Sequence, residues 1–265
     1  MRRVAGVWGA RMRPAAEEMI SKRVTRGMRV LDVGGGGGTS GLATHIIDRM
    51  TYDEWMQRWI PEGVEIAREN WCVHDVCERV PWDYPDDFFD FVICSHTLED
   101  VRDPIWVCQE MSRVGRAGYV ETPSVFLELT RGMNTGFQAG KWVGYCHHRW
   151  LVAEECGVLL FRQKPYFLHS SRRFHFPRRY RERWMKADQA YLGVFWEGKC
   201  IAKEVVMPEE LDMKAEIEAF ILAGEGAPNL AMRMHRMRET LWCFGKSLAK
   251  ILAMDRRVRQ LFSSK

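Results

Sequence analysis

Short apolar runs alternate with amphipathic segments along the first half of the chain. The pattern predicts a helix over residues 14–26, where Pro14 suits the first helical position, and a short buried strand over 28–33. A second strand is predicted over 44–48, followed by an amphipathic turn or helix over 52–60. Helices and strands therefore alternate from the first predicted element onward.

The alternation continues to about residue 124. A strand is predicted over 70–76, and the strongest strand signal of the chain lies at 88–94. A helix is expected to begin at Asp103-Pro104, because aspartate caps helices and proline fits the first turn, and a further strand covers 119–122. This order predicts an α/β fold, a Rossmann-like and mostly parallel sheet with covering helices.

The pattern changes in the second half. We predict two strands around Gly157, a hairpin that turns at Gly198, and two helices split by glycine and proline; their ranges are 150–155, 158–163, 191–196, 200–206, 208–223 and 229–260. The predicted organisation is a cofactor-binding domain over residues 1–168. A basic segment, the hairpin and a helical extension follow over 169–265.

Composition narrows the class of protein. Of 265 residues, 46% are hydrophobic and 28% charged, which excludes a disordered chain, a collagen and a coiled-coil rod. Eight cysteines fit no short disulfide framework and favour reduced thiols in a cytoplasmic protein. No apolar run approaches the ~20 residues that cross a bilayer. Arg11 and Arg13 interrupt the first apolar stretch, which argues against a secretory signal.

Five consecutive glycines, Gly34 to Gly38, follow the predicted strand that carries Asp32. Without Cβ atoms the backbone can take positive φ and let a ligand approach, and N–H groups at the next helix start favour an anionic group. The spacing Gly36-x-Gly38-x-x-Gly41 fits a dinucleotide site, which also requires an acid ~20 residues further on. A plain flexible loop would look similar.

The pattern Asp32-x-Gly34-x-Gly36-x-Gly38 resembles the S-adenosylmethionine loop of class I methyltransferases. The segment 89–124 resembles the same superfamily, with Phe-Asp-Phe-Val, then Ser-His-Thr-Leu-Glu-Asp, Asp-Pro and Gln-Glu-Met-Ser-Arg-Val-Gly in order. Together these similarities cover roughly residues 28–124. They imply the fold and the cofactor, and they leave the methyl acceptor unidentified.

The resemblance also implies cofactor-binding residues. It places Asp32 at the amino-acid part of S-adenosylmethionine, Asp48 at the ribose hydroxyls and Asp75 near adenine. Asp53 and Glu54 are rivals for the ribose position. Gly34, Gly36 and Gly38 belong to the loop, and Ser95 and His96, directly after the fourth strand, complete the expected cofactor-binding set.

The sequence departs from the class I methyltransferase pattern at two places. Only 14 residues separate Gly34 from Asp48, so the helix after the glycines must be very short. The turn Gly115–Gly118 lacks the usual Pro-Gly-Gly. The short spacing and the 89–124 segment together disfavour the alternative of an NAD-dependent oxidoreductase.

Three histidines are the candidate catalytic residues. In this fold class ligands lie beyond the carboxyl ends of the strands, where His96 is expected, and imidazole titrates near neutral pH. His96 is therefore the leading candidate base, with a hydrogen-bonded loop histidine as the alternative. His147 and His148, in a cluster with Arg149 and Trp150, suit an anionic or sugar-like acceptor or else a tryptophan-anchored turn.

The sequence lacks the signatures of two kinds of DNA methyltransferase and of a metal site. The segment after the fourth strand has no Asn-Pro-Pro-Tyr or Asp-Pro-Pro-Tyr, and the chain has no Pro-Cys dipeptide, which disfavours DNA amino- and cytosine-C5-methyltransferases. Cys72-x-His74-x-x-Cys77 spans a strand whose side chains alternate faces, with no evident fourth ligand, so we predict no metal.

A basic segment offers a second function. Residues 172–186 hold seven Lys or Arg and one Glu, interleaved with aromatic residues, a composition that can grip phosphates and stack bases. A non-catalytic module that binds RNA or an acidic polymer is thus an alternative to the methyltransferase, although the net charge of +4 does not favour nucleic acid. The C-terminal helices could also support a homo-oligomer.

Overall fold

The computed structural model describes residues 12–57, 65–134, 142–183, 185–206 and 210–224. In chain order, the strands are β1 (Val30–Val33), β2 (His45–Asp48), β3 (Trp71–Val73), β4 (Phe91–Ser95), β5 (Ala117–Pro123), β6 (Trp150–Glu155), β7 (Val158–Gln163), β8 (Tyr191–Glu197) and β9 (Ala202–Glu204). The helices are α1 (Pro14–Ser21), α2 (Tyr52–Met56), α3 (Pro104–Val114), α4 (Val125–Glu128), α5 (Tyr180–Arg183) and α6 (Glu210–Gly224).

Six strands form the larger sheet in the order β3-β2-β1-β4-β5-β8. The first five are parallel, and β8 runs antiparallel to β5. Asp32 of β1 lies opposite Ile46 on one side and Ile93 on the other. The predicted mostly parallel α/β sheet is confirmed, and its register brings the carboxyl ends of β1, β2 and β4 to one edge.

The sheet is covered on both faces, as its continuous apolar strands require. All four residues of β1 are buried. Leu31 and Val33 pack in the cluster that contains α3, whereas Val30 packs with Ala16 and Ile20 of α1. Because successive side chains of a strand point to opposite faces, one strand serves two layers of core.

Local signals fix the helix starts. The Asp103 carboxylate accepts a hydrogen bond from the Trp106 N–H at 3.0 Å, with Pro104 in the first turn of α3, as predicted. Thr51 and Glu54 form a reciprocal capping box at α2. Helix α3 ends before Gly115, whereas α1 ends at Ser21, five residues earlier than the periodicity indicates.

The second half corrects one prediction. The hairpin around Gly157 forms as β6 and β7, with Cys156 and Gly157 both at positive φ. The predicted hairpin at Gly198 is wrong, because β8 joins the larger sheet while β9 pairs with β7 in a three-stranded sheet. The Cys200 N–H donates to the Ser112 hydroxyl of α3 at 2.8 Å and holds the chain away from β8.

Other predictions for this half have different outcomes. Helix α6 lies within two residues of the predicted 208–223, and the predicted helix over 229–260 lies outside the described residues. The domain boundary after residue 168 stays a prediction; β8, beyond that boundary, completes the sheet of the first segment. Among the described residues no helix is both long and apolar enough to cross a membrane.

Gly118 tests the packing between β5 and its neighbours. A Cβ here would lie 2.3 Å from the Val92 carbonyl oxygen and 2.5 Å from the Trp196 ring. We expect Gly118→Ala to lower the free energy of unfolding by ~1–3 kcal/mol, the usual cost of overpacking. Denaturant unfolding measures this. Gly41→Ala is the control, since its Cβ would meet only a side-chain oxygen of Glu17, at 3.3 Å. Equal losses in the two variants would contradict the packing.

Candidate functional site

A cavity of about 900 Å³ opens where the carboxyl ends of β1, β2 and β4 meet. Open α/β sheets commonly bind ligands at this edge. We call it the larger cavity, and its lining includes Gly34, Gly37, Asp48, Asp75, His96, Thr97, Glu99, Asp100, His147 and His148. The structure therefore brings together most of the site residues that the sequence predicts.

The glycine run forms a tight turn. Gly34 has a φ of +75°, a conformation that favours glycine, and a Cβ there would lie 2.3 Å from the Thr97 hydroxyl oxygen. Gly35–Gly37 then make a single turn of 3-10 helix, and no longer helix intervenes before β2. The expected helix start that would offer its N–H groups to an anion is thus absent from residues 34–48.

Two carboxylates from neighbouring strands hold this turn. Asp32 of β1 accepts a hydrogen bond from the Ser40 N–H at 2.9 Å. Asp48 of β2 accepts one from the Gly36 N–H at 2.9 Å and another from the Met50 N–H at 2.7 Å. Cβ atoms on Gly35 and Gly36 would lie 2.7 Å and 2.8 Å from these carboxyl groups. These glycines therefore make room for carboxylates of the chain itself.

Asp32 lies beneath the turn, outside the cavity lining. It is 3% exposed, and burial raises the pKa of its carboxyl to about 7, with a further contribution from the charges of Asp48 and Glu17 and an opposing one from the Ser40 N–H. Gly36, Gly38 and Ser95 also lie outside the lining. Four of the predicted cofactor residues thus lie outside the cavity lining.

The candidate acids that follow β2 and β3 differ in whether they line the larger cavity. Asp48, at the end of β2, and Asp75, two residues beyond β3, both line the larger cavity. The rival Asp53 pairs with Arg68 on the surface, and the rival Glu54 is engaged in the capping box of α2. The geometry therefore favours Asp48 among the candidates for the ribose position.

His96 is held between two buried glutamates. Its φ is +52°, and its Nδ1 and Nε2 lie 3.6 Å from Glu99 Oε1 and 3.5 Å from Glu121 Oε1. Burial alone would lower the pKa of the ring, but the nearby carboxylates of Glu121 and Glu99 raise it to about 9. A protonated ring has no lone pair to accept a proton, so the geometry disfavours the predicted role of His96 as a base.

Neither glutamate is a candidate site residue on the sequence alone. Glu121 also accepts hydrogen bonds from the Arg13 Nε at 2.9 Å and the Tyr119 hydroxyl at 2.9 Å. Glu99 is 1% exposed, and within the described residues neither carboxylate oxygen receives a hydrogen bond. Only the fold reveals that both face one imidazole, because they lie on different strand ends.

A second cavity of about 420 Å³, the smaller cavity, adjoins the first. Residues 145–149 line both, so His147 and His148 lie at the junction. His148 is buried, with Nδ1 2.6 Å from Glu128 Oε1, and Glu128 also binds the Lys164 ammonium at 2.7 Å. Burial lowers the pKa of the half-exposed His147, which keeps that ring neutral at pH 7.

The basic segment presents arginines but few aromatic faces. Phe174, Phe176 and Tyr180 are buried, with the rings of Phe176 and Tyr180 stacked at 4.0 Å, whereas Arg173 and Arg178 are exposed. Those three aromatic rings are therefore not available to stack on bases. Trp184 lies outside the described residues, and a nucleic-acid partner stays a prediction.

Buried Asp32 makes stability depend on pH. Because its folded pKa is raised from 3.8 to about 7, the folded state holds more protons than the unfolded state between those values, and stability falls as pH rises through that window. Asp32→Asn keeps an acceptor for Ser40 and should remove a slope of up to about 1.4 kcal/mol per pH unit. Denaturant unfolding from pH 4 to 8 measures it, with the surface variant Asp53→Asn as control. An unchanged slope in Asp32→Asn would refute the burial argument.

The charge on His96 is directly measurable. We expect its imidazole to titrate near pH 9 by NMR and Glu121→Gln to lower that midpoint, because the variant removes one of the two carboxylates. His45, whose pKa is lowered by burial and by Arg29, is the internal control. The stabilisation from a charged His96 should be complete below 6.5 and lost as pH rises through about 9. A midpoint at or below 6.5 would show that the ring is neutral.

Comparison with known proteins gives one family. A model described as a methyltransferase domain matches residues 9–150, just over half of the chain. No curated protein matches. Among solved structures, the YcgJ protein of Bacillus subtilis is 20% identical over 42% of this chain and 52% of that protein, with a TM-score of 0.34. A SAM-dependent methyltransferase of Aquifex aeolicus is 19% identical over 41% of this chain and 64% of that protein, with a TM-score of 0.30.

The chain thus spans between about half and just under two thirds of the length of these two structures. The family match includes β1 to β5 and the residues 145–149 at the junction of the two cavities. On that match, this chain belongs to the methyltransferase domain family.

Proposed function

We propose that this methyltransferase binds S-adenosylmethionine in the larger cavity and methylates a small polar or saccharide-type acceptor that enters through the smaller one. The observation that carries the proposal is the common lining of one cavity by Gly34, Asp48 and Asp75. These residues follow β1, β2 and β3, the positions at which the resemblance of the sequence to class I methyltransferases expects cofactor contacts.

The residues present fit the cofactor. An ionised carboxylate has about four acceptor positions. Asp48 uses two of them on the N–H groups of Gly36 and Met50, so acceptor capacity remains for ribose hydroxyls. The cavity of about 900 Å³ lies at the upper end of ordinary ligand pockets, roughly 300–1,000 Å³. Volume and hydrogen-bonding capacity therefore both accommodate a nucleoside.

Charge supports the same assignment. Charged side chains of both signs line the larger cavity: Asp48, Asp75, Glu99 and Asp100 lie beside Arg49, Arg102 and Arg149. Arg102 pairs with Asp75, and His96 faces Glu99. S-adenosylmethionine carries a positive sulfonium, an ammonium group and a carboxylate, so a lining with charges of both signs suits it.

When bound, the cofactor supplies an activated methyl group. The chain must orient the acceptor and exclude water. His96, fixed as a cation by Glu99 and Glu121, contributes charge and rigidity at the cavity wall. His147 and His148 lie where the two cavities meet, which is the place an acceptor atom must reach.

The acceptor class rests on the smaller cavity. Arg149 and Gln163 offer hydrogen-bond donors there, and Trp142 and Trp150 contribute indole rings. Polar donors beside aromatic rings suit a hydroxyl-bearing acceptor, because each part of a sugar-like molecule finds a matching surface. This supports a small polar or saccharide-type acceptor over a nucleic acid.

Asp48 tests the cofactor assignment. We expect Asp48→Asn to weaken binding of S-adenosylmethionine at least ~10-fold, equivalent to 1.4 kcal/mol, because a charged acceptor for the ribose hydroxyls is lost. Titration calorimetry on the full chain measures the dissociation constant, and a thermal melt checks that the variant is folded. Asp53→Asn is the matched control, since Asp53 pairs with Arg68 outside the cavity. Equal affinities of the Asp48 variant and the unmodified protein would refute the ribose assignment.

A further inference from the structure

Three potential metal ligands converge at the junction of the cavities. Asp100 lies after β4, and His147 and His148 precede β6. His147 Nε2 is 3.9 Å from Asp100 Oδ2, and His148 Nε2 is 3.8 Å from Asp100 Oδ1. One ligand atom from each of the three residues lies within 4.8 Å of the others. Local spacing does not indicate this group, because 47 positions separate Asp100 from His147.

The buried histidine is already oriented as a ligand. His148 Nδ1 lies 2.6 Å from Glu128 Oε1, so a proton on this nitrogen is directed at Glu128, and Nε2 faces Asp100, where an ion would take the place of its proton. Glu128 is itself fixed by the Lys164 ammonium at 2.7 Å. Metal-binding histidines commonly donate their second ring nitrogen to a carboxylate in this way.

Asp100 has unused capacity on the side that faces His148. Its Oδ1 is buried and accepts no hydrogen bond from any described residue. A buried carboxylate oxygen without a donor is costly, and a cation would remove that cost. The unsatisfied oxygen is thus a second observation, independent of the spacing, that points to a positive ligand here.

We propose that Asp100, His147 and His148 bind a divalent first-row transition-metal ion such as Zn²⁺. Two imidazoles and one carboxylate are a donor set for transition metals rather than for Mg²⁺ or Ca²⁺. Tetrahedral ligands at ~2.0–2.1 Å from zinc stand about 3.4 Å apart, so the two histidine–aspartate contacts have to shorten by about half an ångström each. The two histidine nitrogens lie within 4.8 Å of one another. Three protein ligands leave at least one coordination position open.

The open position faces both cavities. His147 and His148 line the larger and the smaller cavity, and Asp100 lines the larger one. A ligand oxygen on the ion would therefore lie between the proposed cofactor site and the proposed acceptor site. This role, to bind and position an oxygen atom of the acceptor, rests on the proposed function; the ion binding itself does not.

Metal titration of the full chain without an affinity tag tests the site. Co²⁺ is the spectroscopic probe and Zn²⁺ the calorimetric one, both added after treatment with a chelator. We expect one ion per chain and visible absorption bands from bound Co²⁺. His147→Gln should weaken Zn²⁺ binding at least ~100-fold, and Glu128→Gln about 10–100-fold, the usual cost of losing an outer partner.

His169→Gln is the matched control, because His169 lines only the smaller cavity and lies outside the cluster. Its binding of Zn²⁺ should equal that of the unmodified protein. The proposal is overturned if no ion binds, if His147→Gln binds as tightly as the unmodified protein, or if His169→Gln loses binding equally. Since His147 is half-exposed, the His147→Gln variant should fold, and a thermal melt verifies this.

The metal site and the cofactor site can fail separately. Titration of the chelator-treated protein with S-adenosylmethionine tests the cofactor alone, and titration with Zn²⁺ in the absence of S-adenosylmethionine tests the ion alone. Zn²⁺ binding without cofactor binding upholds the metal site and refutes the proposed function. Cofactor binding without Zn²⁺ binding does the reverse.

Discussion

The hydrogen bonds from the glycine turn to Asp32 and Asp48 are the constraint on which the site depends. Two adjacent parallel strands end in carboxylates, and these accept the N–H groups of Ser40 and Gly36. Because Asp48 lies only 14 positions after Gly34, there is no room for a long helix to satisfy those donors. The carboxylates replace it, and they require glycine at positions 35 and 36, where a Cβ would overlap them.

That arrangement gives different roles to the two acids. Asp32 is enclosed, burial raises its pKa, and it holds the turn from outside the cavity lining. Asp48 uses part of its capacity on the turn and presents the rest to the larger cavity. One end of the cavity is therefore rigid and acidic, because the chain folds its own carboxylates under the loop.

The opposite wall is ordered by a charge balance. Glu99 and Glu121 enclose His96, and Glu128 joins His148 to Lys164. Removing any one partner would leave a buried charge uncompensated, which is expensive in a region of low dielectric. These networks keep the residues after β4 and before β6 in place, and they define where the two cavities join.

Much of the fold follows from sequence periodicity, and the site follows only in part. The strands, the Asp103 cap and the positions of Asp48 and Asp75 are legible because they depend on local patterns. Other features depend on contacts between distant segments. They are the burial of Asp32, the placement of β8 and β9 in different sheets, and the pairing of His96 with Glu121. No local pattern encodes those contacts, so the predicted hairpin was wrong and the charge on His96 was missed.

The central claim is that the carboxylate-held glycine turn and the acids beyond β2 and β3 form a nucleoside site. Amide hydrogen exchange with and without S-adenosylmethionine tests it most directly. The account predicts slower exchange, on adding the cofactor, at Gly36, Met50 and Cys77, whose N–H groups are held by Asp48 and Asp75. Unchanged exchange at those three amides, at a concentration of S-adenosylmethionine high enough to saturate an ordinary cofactor site, would contradict it.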